Sequence, residues 1–206
     1  MRSLRNFFIG LVLLILAMFA MLFIPTNQPE APRIWELEQM PDGNIKVLNI
    51  HLGTTTYQQA QYALREIGEV AIFVNQEGQA SLEVFFDVIN LAGFSARAIL
   101  NLQMSEDELT GLIERSPDAG RLQRSGARRY QIHHSDYAAV FNAPVMAMTY
   151  IPGLRLDEAM LRHRFGEPIA IEHEAEDDGK LWRYPHLGLT VGLHPNERPV
   201  LLFEAN

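Results

Sequence analysis

Acid–base or metal chemistry would start from histidines and carboxylates, and two short stretches concentrate them. His133, His134 and Asp136 put three potential ligands within four residues, and Glu172-His173-Glu174 puts three in a row. Neither spacing aims its groups at one point. On a strand successive side chains face opposite sides, so His133 and His134 diverge, whereas a metal needs three or four converging donors. The HExxH, GxSxG and P-loop patterns do not occur. With no cysteine the chain has no thiol nucleophile, Fe–S cluster, thiolate zinc site or lipobox. We therefore expect a non-enzymatic protein, without catalytic residues, metal or cofactor.

Binding chemistry has better material. Arg121, Arg124, Arg128 and Arg129 are the only basic cluster, and arginine's planar fork suits a carboxylate-rich or phosphate-bearing partner; they are the candidate docking residues. The alternative is a solvated loop with local salt bridges. The acidic run EHEAEDD, residues 172–178, reads as a hairpin shoulder kept soluble and protected from edge pairing. Trp182 and Tyr184 alternate onto one strand face, where core packing against a helix ending at Phe165 is their ordinary use. Glu69 and Glu167 each follow a turn glycine, so repeated turn chemistry explains the pair without catalysis.

These residues need elements to hold them. Of 206 residues, 48% are apolar and 20% charged, which excludes disorder, and a formal charge of −8 argues against nucleic acid as a partner. The eighteen residues from Phe7 to Ile24, FFIGLVLLILAMFAMLFI, carry no charge. As a helix they would reach roughly 27 Å, enough to cross a bilayer. Arg2 and Arg5 precede them, so the positive-inside rule puts the N-terminus in the cytoplasm and the remainder outside the inner membrane, in the periplasm. The apolar run is longer than a signal-peptide core and lacks a good cleavage site, which favours a retained single-pass anchor over a cleaved leader. Setting aside Arg2 and Arg5 leaves 15 basic against 25 acidic residues, a formal −10 that offers anionic lipid no adhesion. The anchor is then the only expected contact with the bilayer.

Comparison of the chain with itself shows a repeat at a spacing near 100 residues. Residues 46–73 resemble residues 145–171: Gly53 matches Gly153, and Gly68-Glu69 matches Gly166-Glu167. Thr55 or Thr56 can cap a helix with Gln58 or Gln59 as capping-box partner, and Tyr57, Ala60, Leu64 and Ile67 then share one stripe. Leu154, Leu161 and Phe165 do the same in the second copy. Gly68 and Gly166 stand where a helix takes a left-handed closing residue. The strand IAIEHEAE from Ile169, the pair Asp178-Gly179 and then LWRYP suggest a type I′ hairpin. Alternating Leu187, Leu189, Val191 and Leu193 give a further strand, and PVLLFE closes the sheet. Between the copies, Ser105 to Glu108 is a capping box opening a short helix that ends before Pro117.

The expected organisation is α+β, with one N-terminal transmembrane helix followed by two tandem helix-plus-antiparallel-sheet repeats. Residues 1–24 form the cytoplasmic tip and anchor, 25–32 a proline-rich linker, 33–104 the first repeat, 105–144 an irregular insert and 145–206 the second repeat. The second repeat, with its FGEP turn at Phe165 to Pro168, LWRYP at Leu181 to Pro185 and GLTV at Gly188, resembles the domain of the SmpA/BamE-type outer-membrane assembly lipoproteins. The first matches more weakly, with Val70 in place of the proline and Glu83 where Trp182 stands. A tandem pair of such units is similar to the β-lactamase inhibitor protein in architecture. The resemblance implies a protein that binds other proteins in the envelope, and it carries over no binding residue. We expect an interaction or assembly module on the exported side of the inner membrane with an envelope protein as partner. The alternative is a binder of a small ligand or cell-wall component in the groove between repeats.

Overall fold

The computed structural model describes residues 36–91, 93–173 and 178–206. Hydrophobic alternation produces two antiparallel sheets. The smaller joins β1 (Leu37–Gln39), β2 (Ile45–Val47) and β3 (Ile50–His51) in that order. The larger contains β4 (Glu69–Val74), β5 (Ala80–Leu91), β6 (Phe94–Leu102), β7 (Arg121–Leu122), β8 (Arg128–Gln131), β9 (Val145–Pro152), β10 (Ala170–His173), β11 (Lys180–Tyr184), β12 (Leu189–Leu193) and β13 (Val200–Glu204). Its spatial order is β10-β11-β12-β13-β9-β6-β5-β4-β8-β7, and every neighbouring pair is antiparallel.

Four helices accompany these sheets among the described residues: α1 (Tyr57–Leu64), α2 (Glu106–Glu114), α3 (Tyr137–Asn142) and α4 (Glu158–Phe165). Local chemistry fixes their ends. Thr56 and Gln59 form a reciprocal capping box at α1, and Ser105 and Glu108 form one at α2. Asp157 accepts from the Met160 amide at 2.7 Å to open α4, three residues beyond Leu154, which is left exposed. Helix α1 stops at Arg65, in the left-handed region at φ 56°, so Ile67 falls off the buried stripe and is 86% exposed. Gly68 is not the left-handed residue expected. A Cβ there would lie 2.4 Å from Val84 Cγ1 and 2.9 Å from Phe86 Cζ, so glycine lets the chain close onto β5. Gly166 does take positive φ, at 81°.

The expected fold class is corrected in two respects. No helix among the described residues is long and apolar enough to cross a membrane; the span expected over residues 7–24 lies outside the described residues. Nor are there two tandem helix-plus-sheet repeats standing as separate layers. Each half supplies a helix followed by a three-stranded meander, α1 with β4-β5-β6 and α4 with β10-β11-β12, but all six strands belong to one sheet. The link is direct pairing of β6 with β9, from Ala96 opposite Pro152 to Asn101 opposite Ala147, followed by β9 with β13. The hairpin at Asp178-Gly179 is also corrected. His173 stands opposite Lys180, a register that does not centre the turn on Asp178-Gly179.

One face of the large sheet carries the core. Ile72 stands opposite Leu82, Val84 opposite Leu100, Leu100 opposite Met148, Met148 opposite Phe203, Leu201 opposite Val191 and Val191 opposite Trp182, all buried. Each such side chain contributes roughly 1.5–3 kcal/mol on burial. Tyr57, Ala60 and Leu64 of α1, Leu161 and Phe165 of α4, and Ile45, Val47 and Ile50 of the small sheet join the same core. Both halves use one polar device within it. The Tyr57 hydroxyl donates to the Gly68 carbonyl, and the Tyr184 hydroxyl to the Gly166 carbonyl, each at 3.2 Å.

Candidate interaction surface

The histidine group does not converge. His133 Nδ1 lies 2.8 Å from the Ser135 hydroxyl, and its ring tilts against that of His134 with centroids 4.1 Å apart. Asp136 is engaged by Arg115, whose single Nε–H is shared between the two carboxylate oxygens at 3.1 Å each. Glu172 is held by Arg183 Nε and Nη2 at 3.2 and 3.1 Å, and that hydrogen bonding, with the attraction of the charge, keeps its carboxyl below the usual range. Among the described residues no three His, Asp or Glu side chains are grouped to hold a metal. Glu69 pairs with Arg129 and Glu167 with Arg162, so these two carboxylates close local ion pairs.

The four arginines lie on and around the β7–β8 hairpin at one edge of the large sheet, and they do not form one patch. Directly opposed residues share a face. Arg121 opposes Arg129, which puts those two on one face, whereas Arg128 opposes Leu122 on the other. Arg124 sits in the turn, and Arg129 is occupied by Glu69. Trp182 and Tyr184 are fully buried. The Arg162 guanidinium lies 4.5 Å from the Trp182 ring centroid, the range of a cation–π contact, while the indole Nε1 makes no hydrogen bond.

What the sequence reading missed is the second face of the sheet. Residues of the opposite strand phase line up across it: Phe85 opposes Ile99, Ile99 opposes Thr149, Thr149 opposes Leu202, Leu202 opposes Thr190, and Thr190 opposes Arg183. All six are half-buried, and the apolar ones stand outside the core and outside the set packed against it. Phe73 belongs to the same phase, with its ring centroid 5.4 Å from that of Phe85. A parallel row runs Ala71, Glu83, Asn101 and Ala147. Beside Phe73 and Glu83 an open cavity of about 510 Å³ is walled by Asn75, Gln79, Ser81 and Ser125.

A signal for this face was present. Beside the core phase, VMAMTYIP in β9 carries Ala147 and Ile151 and AILNL in β6 carries Ile99 in the opposite phase. An antiparallel strand with only one covered face ordinarily alternates apolar with polar. No protein-family model, curated protein or solved structure matches the chain.

Proposed function

We propose that the protein is a non-enzymatic interaction or assembly module whose docking surface is the second face of the ten-stranded sheet. The observation that supports this reading is the row from Phe85 to Thr190, apolar and β-branched across five strands yet packed against no part of the core. Rows of this kind ordinarily mark a contact surface, because a sheet face left to water is filled with polar side chains. Five strands spaced about 4.8 Å apart present a surface roughly 20 Å wide, fit for one layer of a partner protein. The resemblance of the second half to envelope assembly domains agrees with this reading. The apolar run at residues 7–24, preceded by Arg2 and Arg5, supports action on the exported side of the inner membrane with an envelope protein as partner.

Site-specific photocrosslinking of the full-length chain in its own cells tests the docking surface. A photoreactive residue at Thr149 should give a discrete protein adduct, and one at Tyr62, 77% exposed on α1, should not. Equal labelling from both positions, or none from Thr149, would overturn the proposal.

A further inference from the structure

Glu83 stands out on this face. Glu69, at the start of β4, is paired with Arg129, whereas Glu83 on β5 has no basic partner among the described residues. Its one hydrogen bond there is from the Ser81 hydroxyl to Oε1 at 2.8 Å. Across the strands it faces Ala71 and Asn101, neither of which brings a positive charge. The residue is half-buried, and no basic side chain is paired with its carboxylate among the described residues. Phe73 and Phe85 share its face, and the 510 Å³ cavity opens beside it.

A cation entering that cavity would meet a carboxylate and the side chain of Phe73, an aromatic ring of the kind that attracts cations. The arginines of the same face do not compete: Arg129 is held by Glu69 and Arg183 by Glu172, Arg97 stands four residues along β6 from the Asn101 that faces Glu83, and Arg121 lies three strands away on β7. We propose that Glu83 anchors the docking surface by receiving a lysine or arginine side chain of a partner protein; the proposal rests on the docking reading above. A protein segment, not a free amine, is the occupant, because the adjoining row through Ile99, Thr149 and Leu202 would stay uncovered by a small cation. The charge pair would lie at the polar end of the docking surface, beside the apolar row through Ile99 and Leu202, where it fixes the register of the contact.

The experiment uses the full-length chain in neutral detergent. Displayed random peptides of about twelve residues are selected on the wild type, and the enriched ones are synthesised and titrated. The selected peptides should carry a basic residue among apolar ones. Glu83→Gln, which keeps shape and removes charge, should weaken them about tenfold or more, while Glu66→Gln, exposed after α1, leaves them unchanged. Replacing the peptide's basic residue by norleucine should cost the wild type as much and the Glu83→Gln protein nothing further. Thermal melting confirms that the variants are folded. Peptides weakened by Ile99→Asp but indifferent to Glu83→Gln would overturn the socket and leave the docking surface standing. Peptides indifferent to both, or no enrichment at all, would overturn both.

Discussion

Burial sets the acid–base behaviour of single residues even where no catalysis is at work. Tyr150, 3% exposed within β9, has its phenol pushed up to about 12 by burial. The folded protein therefore keeps a proton that the unfolded chain releases near 10. The stability this contributes is complete below pH 10 and is lost as pH rises towards 12, by at most roughly 3 kcal/mol. Burial pushes the Tyr57 and Tyr184 phenols in the same direction, so urea titrations at pH 9 and 11 should show a loss of stability in the wild type, of which Tyr150→Phe removes a part. Residues of this sort were readable in advance: Trp182 and Tyr184 alternate in LWRYP and are both buried. Glu83 was not. In SLEVFF it is the polar member of an ordinary alternation, and its meaning depends on Phe73, Asn101 and Ser125, which other segments bring to it.

Elements were legible where the determining chemistry is local. Thr56 with Gln59, and Ser105 with Glu108, are complete capping signals within four residues, and both close as reciprocal boxes. Gly68 and Gly166 follow similar helices in similar sequence, yet they serve different ends, because Gly68 meets β5 from a remote part of the chain and Gly166 has open space around it. Their alanine variants should separate these causes. Gly68→Ala forces a Cβ against Val84 and Phe86 and should cost about 1–3 kcal/mol by overpacking. Gly166→Ala meets no neighbour, but φ 81° with ψ −167° is a backbone region that only glycine adopts readily, and the change should cost about 1–3 kcal/mol through the backbone alone. Denaturant midpoints should show that Val84→Ala relieves part of the loss at Gly68 and none of that at Gly166. The place of the turn between β10 and β11 escaped the sequence for a related reason: strand pairing, not the Asp178-Gly179 signal, sets the register.

For the whole molecule, the repeat was visible in the sequence and its consequence was misjudged. Two similar halves suggest two sheets, but pairing between β6 and β9 is a relation between residues about 50 positions apart, which no local pattern announces. One core runs through both halves. We therefore expect a single cooperative unfolding unit. Native-state hydrogen exchange should give the amides of Ile72 in β4 and Val191 in β12 the same opening free energy; distinct values would indicate that the halves open independently. The order of the strands also decides what the loss of one would do. Strand β13 lies between β12 and β9, and among the described residues β9 is the one strand through which the second meander reaches the first. Strand β13 is thus the keystone of the sheet. A chain that lost it would keep both meanders with the second unmoored, and quality-control proteases would meet two open edges, β12 and β9, where the sheet had none.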